Sequence, residues 1–298
     1  MECVKPIISY KIKKGQKAEF VKFRYKETKE RIINQEREKY QLLDCRKCPG
    51  CKQKEASEWA TRIYCESKKS KNKYFITLTY QNETQKTLNW NDIKEWIKKI
   101  KKIEPKTKYF ISGEYGKKTH RPHYHAIILN LEINDLKEWE KKAENKIYWS
   151  PTIKKTWNKG ISAIGKVTEQ SIAYTTMYTT KKLTNSKYIE KNKLEKEAHK
   201  QSRGLGKDWI IENYKEAYKN DQIHTTNGIK KIPRYFDRVI EKINKEIIEK
   251  TKEKRAEQTE KKHKENEKYY KEKGITNIQR LKNKEIQLKQ KINKTQKK

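Results

Sequence analysis

No apolar run in the 298 residues approaches the roughly 20 that a membrane span needs. Nothing at the N-terminus reads as a signal peptide. A soluble, intracellular protein is therefore expected. Hydrophobic residues are scarce, 33% against 38% charged, so a core cannot run through the whole length. Acidic residues fall far behind basic ones: 39 Asp and Glu face 75 Lys and Arg, for a net charge of +36. An AT-rich genome would crowd a chain with Lys, Asn and Ile, but it leaves the shortage of acids unexplained. Such an imbalance points to a polyanionic partner, with nucleic acid the usual one. Five cysteines make an odd count, and three of them are clustered. That argues against a disulfide framework and for reduced thiols or a metal site. "GLGKDW" (204–209) lacks the spacing and the Ser/Thr of a P-loop, and no other stretch supplies one. The chain gives no sign of an ATP-driven helicase, so any unwinding needs a partner. Internal repeats are absent too.

What is present has a readable order. Helical patterns run from Lys17 to Gln41 and from Glu55 to Glu66. "YFITLTY" (74–80), rich in β-branched and aromatic residues, reads as a buried strand. Ile93, Trp96, Ile97 and Ile100 recur at three and four, which predicts an amphipathic helix. "KYFISGEYG" (108–116) and "HYHAIILNL" read as strands joined by the "GKKTHRP" turn, a hairpin. A helix is expected around residues 135–146, a strand over 160–167 and a helix over 168–183. In that last helix Thr168 can cap, with Ile172, Tyr174, Met177 and Tyr178 sharing one side. From Glu241 onward the Lys/Glu/Asn/Gln composition predicts a solvated helix or a disordered basic tail that buries little.

Three constellations can carry chemistry. His123 and His125, one residue apart in a strand, point to the same face, and Tyr124 between them turns to the other. Two imidazoles on one face can hold one divalent ion, although a lone His-x-His more often marks two ordinary polar residues. Phe110, Ser112 and Glu114 share a face of the preceding strand, and hairpin pairing would bring Glu114 beside the histidines. A carboxylate with two imidazoles and open positions suits Mg²⁺ or Mn²⁺ acting as a Lewis acid on phosphate. Tyr115 is on the wrong face unless a bulge at Gly113 reverses it. Tyr174 and Tyr178 are four apart on a helix, with Lys181 and Lys182 within a turn beyond. A phenol with its ordinary pKa of about 10 attacks poorly unless a cation or metal assists. "CRKCPGC" supplies Cys45, Cys48 and Cys51, and a structural zinc site needs a fourth thiolate, from Cys3 or Cys65. Free thiols, Fe–S ligation or a redox role fit the same spacing.

In this order and spacing the pieces resemble the replication initiation proteins of microviruses, the small circular single-stranded DNA phages, especially the gokushovirus branch of the HUH endonuclease superfamily. The resemblance rests on "MECVKP", "CRKCPGC" followed by "EWATR", "FITLTY", "GEYG…RPHYH", "AYTTMYTTKK", "SRGLGKDW" and "IPRYFDR", and covers most of residues 1–240. It implies an α+β fold, a central antiparallel sheet flanked by helices (ferredoxin/RRM-like), followed by a helical or disordered basic tail. The implied organisation is an N-terminal segment with the cysteines packed on the core (1–72), an endonuclease core (73–240) and the tail (241–298). The implied activity is a rolling-circle nickase. His123, His125 and Glu114 would hold Mg²⁺ or Mn²⁺, and Tyr178 or Tyr174 would attack DNA to leave a 5′-phosphotyrosine and a primer 3′-OH. Lys181 and Lys182 would orient the phosphate or favour the phenolate. A structural Zn²⁺ on Cys3, Cys45, Cys48 and Cys51 is also expected. The implied partners are single-stranded viral DNA, replicative-form origin DNA, and the host helicase and polymerase, in the host cytoplasm and without membrane. Rival readings are a non-enzymatic single-stranded DNA-binding or packaging protein and a plasmid relaxase or transposase.

Overall fold

The computed structural model describes residues 3–10, 40–81, 85–116, 119–142, 145–181 and 186–297. The helical pattern expected at 17–41 lies almost wholly outside these residues. The chain divides into two compact units, one of residues 56–248 and one of residues 1–55 with 249–298. Strands are numbered along the chain: β1 (Ile7–Tyr10), β2 (Tyr40–Leu43), β3 (Lys73–Tyr80), β4 (Lys108–Tyr115), β5 (Pro122–Leu129), β6 (Lys137–Lys142) and β7 (Asn145–Trp149). They continue with β8 (Gly160–Lys166), β9 (Ala198–Gln201), β10 (Gln222–Thr225) and β11 (Gly228–Lys231).

The larger unit is built on a seven-stranded sheet in the order β6-β7-β8-β3-β5-β4-β9. Every pairing in it is antiparallel. Alternation gives the sheet two different faces. One carries Ile76, Leu78, Ile111, Tyr124, Ala126, Ile128 and Ile164, which pack with Ile93, Trp96, Ile97 and Ile100 of the helix Trp90–Ile103. Those four helix residues are the ones its sequence period selects. Burying each contributes about 1.5–3 kcal/mol relative to leaving it in water. Asn89 starts this helix, its side chain accepting from the Asn91 N–H at 3.0 Å. The opposite face carries Phe110, Ile127 and Leu129, covered by Trp59 and Ile63 of the helix Pro49–Lys69 and by Ile172 of the helix Glu169–Lys181.

The expected helix around 135–146 is instead the antiparallel pair β6–β7, and β7 continues the sheet beside β8. Lys and Glu favour helix in isolation. Here the Ile147, Tyr148 and Trp149 run supplies strand formers, and pairing with a distant strand overrides local preference. A second small core in this unit joins Cys65, Ile210, Tyr218, Ile223, Phe236 and Ile240. In the other unit β1 and β2 form an antiparallel pair. The region past 241 holds two helices, Lys245–Glu272 and Asn277–Lys297, rather than a disordered tail. Leu281 is buried on the second. Among the described residues no helix is long and apolar enough to cross a membrane.

Gly160 fixes how closely β8 approaches β3. A Cβ there would stand 2.2 Å from the Thr79 carbonyl oxygen and 2.4 Å from the Gln81 nitrogen, both backbone atoms that cannot swing away. Gly160→Ala is therefore expected to cost about 3 kcal/mol, roughly 10 °C in melting temperature. Thermal unfolding checks this, and an unchanged midpoint would contradict the close approach.

Candidate functional site

The hairpin of β4 and β5 builds the site. Its turn closes with the Gly116 N–H donating to the Arg121 carbonyl and the His120 N–H to that of Gly116, both at 3.0 Å. The register that follows is unbroken: Glu114 pairs with His123, and Ser112 with His125. No bulge intervenes at Gly113, so Tyr115 stays on the other face, as a regular strand requires. Tyr124 likewise points into the opposite core and is fully buried. Glu114, His123 and His125 thus converge, with ligand atoms within 4.8 Å of one another. Oε1 of Glu114 lies 2.7 Å from Nε2 of His123 and 3.1 Å from Nε2 of His125.

The far side of each ring is held as well. His123 Nδ1 faces the Arg121 carbonyl at 3.1 Å, and His125 Nδ1 faces Thr77 Oγ1 at 3.1 Å. A carbonyl only accepts, so Nδ1 of His123 carries its proton and the neutral ring presents a lone pair at Nε2. That lone pair meets a carboxylate oxygen, an arrangement that is repulsive unless a proton or a cation lies there. Burial works against ionisation of Glu114, yet hydrogen bonds and charge from His123 and His125 outweigh it and hold the carboxyl at about 2. Beside it the Ser112 hydroxyl is buried without a hydrogen-bond partner among the described residues. An ionised carboxylate, two oriented imidazoles and an unsatisfied hydroxyl fit a divalent cation.

The helix Glu169–Lys181 lies over this face, along β4, β5 and β9. Thr168 caps it, its hydroxyl accepting from the Ser171 N–H at 3.1 Å while Ser171 Oγ accepts from the Thr168 N–H at 2.9 Å. The inward residues are Ile172, Thr175 and Thr176. This corrects the expected apolar side: Ile172 and Tyr174 project to opposite sides. Buried threonines are tolerated because their hydroxyls donate to carbonyls one turn back, Thr175 to Ser171 at 2.8 Å and Thr176 to Ile172 at 3.0 Å. Tyr174, 47% exposed, sets its ring edge against His125 with centroids 5.1 Å apart, and Phe75 stacks on the same imidazole at 5.6 Å. Tyr178 stands one turn after Tyr174, and Lys181 ends the helix; their side chains, and all of Lys182, lie outside the described residues.

Four thiols meet in the other unit. Cys3, Cys45, Cys48 and Cys51 place their sulfurs within 4.8 Å of one another, with Cys3 and Cys48 at 3.8 Å. The fourth candidate is therefore Cys3, while Cys65 is buried alone in the small core of the larger unit. The 3.8 Å spacing matches the edge of a tetrahedron with Zn–S bonds of about 2.3 Å and is far longer than a disulfide of about 2.05 Å. Burial opposes the Cys48 thiolate, but N–H groups of Cys51 and Val4 and bonds from its neighbouring thiols bring it to about 7. Cys51, pushed up by burial, stands at about 11.

Sequence reading missed Thr77, Phe75, Arg121 and His199. Thr77 and Phe75 alternate onto the histidine face of β3, a signal present in "FITLTY". Arg121 acts through its carbonyl, and its guanidinium donates to the Tyr80 carbonyl at 2.6 Å. His199 lies on β9 opposite Ser112 and stacks on Phe110 at 5.2 Å.

Comparison with known proteins places this geometry in a lineage. The ORF2-type family of replication-associated proteins matches residues 73–183, which contain β3 to β8 and the tyrosine helix. Replication-associated protein ORF2 of Spiroplasma virus 4 is 35% identical over 269 residues, 81% of each chain. Replication-associated protein VP4 of Bdellovibrio phage phiMH2K is 31% identical over 64% of this chain and 65% of its own. Replication-associated protein ORF4 of Chlamydia phage 1 is 26% identical over 67% of this chain and 54% of its own. No solved structure matches. With similarity spread over four fifths of its length and the motifs in the same sheet, the chain belongs to the replication-associated protein family of phages.

Proposed function

We propose that the protein initiates rolling-circle replication as a metal-dependent, site-specific single-stranded DNA endonuclease. One observation carries the reading: a tyrosine ring lies against the imidazole of a buried Glu-His-His group that suits a divalent ion. Glu114, His123 and His125 would hold Mg²⁺ or Mn²⁺, which supplies Lewis-acid polarisation of the scissile phosphate and stabilises charge on the departing oxygen. Thr77 and the Arg121 carbonyl keep the imidazoles oriented. The phenol oxygen of Tyr178 or Tyr174 attacks phosphorus in line and loses its proton. The P–O3′ bond breaks and its electron pair leaves on the 3′ oxygen, which gains a proton and primes synthesis. The 5′ phosphate stays esterified to tyrosine, so the bond energy is kept for rejoining. A second tyrosine allows a second transesterification after one round. Lys181 and Lys182 orient the phosphate or favour the phenolate. The substrates are the single-stranded viral DNA and the replicative-form origin, with a host helicase and polymerase as partners.

The test is incubation of the full-length protein with end-labelled viral-strand oligonucleotides and Mn²⁺. A covalent 5′-phosphotyrosyl adduct with a free 3′-OH fragment is expected, and EDTA suppresses both. Tight binding without cleavage of any viral-strand segment would instead favour a packaging protein.

On the same reading the four cysteines hold a structural Zn²⁺. Elemental analysis of the purified protein is expected to give one zinc per chain. Cys48→Ser removes it and lowers the melting temperature; a metal-free native protein would refute the assignment.

A further inference from the structure

Three sequence stretches take no part in the nicking chemistry: "EWATR" (58–62), "SRGLGKDW" (202–209) and "IPRYFDR" (232–238). Far apart in the chain, they meet at Arg62. Its Nε donates to the Leu205 carbonyl at 3.1 Å. Its guanidinium lies 4.1 Å from the Trp59 ring centre and 3.8 Å from that of Tyr235. Gly206, at φ +76°, lets the loop come this near: a Cβ would stand 2.7 Å from the Phe236 ring and 2.9 Å from the Arg62 carbonyl oxygen.

The Arg62 cation is oriented but not neutralised. Among the described residues it has no carboxylate ion-pair partner. Glu66, one turn on, is committed to the Gly206 N–H at 2.7 Å and to Lys108 at 2.8 Å. Burial pulls the Arg62 guanidinium down to about 10; the nearby Arg238 charge adds to this, while Tyr235 and Glu58 oppose it. A half-buried cation beside a second arginine is costly unless an anion joins it. Arg203, Lys207, Arg234 and Arg238 on the same converging segments are all exposed.

Its position adjoins the metal-ligand group. Trp59 contacts Phe110 and, edge-on at 5.7 Å, His199. His199 pairs with Ser112, which pairs with His125, so the sandwich and the triad share one sheet face. Two strand spacings separate the rows, roughly 10 Å.

We infer that Arg62, with Arg203 and Arg238 beside it, binds the phosphodiester backbone of the DNA strand flanking the scissile phosphate. The identity of that strand rests on the nicking reading. A planar fork held flat between two rings presents its terminal N–H groups with little entropy left to lose, which suits a phosphate. These are positioning residues: they fix the strand's register and take no part in bond breaking.

Equilibrium binding of the full-length protein to a labelled viral-strand oligonucleotide, in EDTA and across roughly 50–200 mM salt, tests the inference. Arg62→Lys is expected to weaken binding roughly tenfold. Arg238→Gln and Arg203→Gln should each flatten the log–log salt slope by about 0.7, the share of one single-strand phosphate. Lys155→Gln, the same charge loss on the helix Pro151–Thr156 of the opposite face, should leave the slope within half that change. In nicking assays the arginine variants should raise KM with kcat unchanged. Should Arg62→Lys melt early, the two exposed variants decide. Unchanged affinity and slope in both, in protein that nicks normally, overturns the inference and leaves the nickase standing. Arginine-dependent binding by a protein that never nicks does the reverse.

Discussion

Replacing Tyr174 and Tyr178 together with Phe abolishes the covalent adduct while leaving fold and DNA affinity in place. The change removes two hydroxyls and nothing else. Tyr174 is 47% exposed and packs through its ring, against His125 at 5.1 Å and Phe75 at 6.3 Å, contacts that Phe preserves. The melting temperature should therefore move by no more than a surface substitution does, within about 0.5 kcal/mol. The nucleophile is a different matter, since no phenyl ring can form a phosphate ester. Adduct and 3′-OH fragment should both fall below detection in the double variant. Each single variant should retain cleavage on one of the two strand-transfer steps, which identifies the tyrosine that cuts first. An adduct that persists in the double variant would remove these tyrosines from the mechanism. Gel mobility of the labelled strand and mass spectrometry of the product read the result.

The features on which that experiment depends were unevenly legible in the sequence. Strand alternation alone predicts that His123 and His125 share a face and that Tyr124 does not, because a period of two leaves no other option. Glu114 was legible for the same reason once a short turn fixed the hairpin, and it lies directly opposite His123. Long-range pairings were not legible. β6 and β7 carry a lysine- and glutamate-rich sequence whose local preference is helical, and only the partner strand β8 makes them extended. β9 is four residues long, too short for a period to register, yet it brings His199 beside Ser112. Cys3 and Cys65 were equivalent as fourth thiols until chain folding set Cys3 3.8 Å from Cys48. The inner side of the tyrosine helix was misread because threonine counts as polar; its hydroxyl can satisfy itself on the preceding turn and be buried. Arg62 belonged to a motif with no visible purpose, since its two aromatic partners are near and far in sequence at once.

Removing the imidazoles is the second change with a large expected effect. His123→Ala with His125→Ala should abolish nicking in Mg²⁺ or Mn²⁺ and leave single-stranded DNA binding within about 0.5 kcal/mol of wild type. The backbone register that holds β5 between β3 and β4 does not depend on these side chains. Orienting partners of metal ligands are each worth about 10–100-fold, so loss of two ligands should exceed about 100-fold in metal affinity. Mn²⁺ titration followed by electron paramagnetic resonance measures that directly, independent of cleavage. Glu114→Gln should reduce Mn²⁺ affinity as well, because it replaces an ionised oxygen with a neutral amide. It also has a signature in metal-free protein. The Glu114 carboxyl is held at about 2 against an ordinary 4.5, so its ionised form contributes stability that is fully present above pH 4.5. That contribution fades as pH falls toward 2, and the stability gap between wild type and Glu114→Gln should close over the same interval. A gap that is constant across it would mean the carboxylate is not held by the imidazoles. Nicking that survives the double histidine change would dissolve the constellation altogether, whatever the tyrosines do.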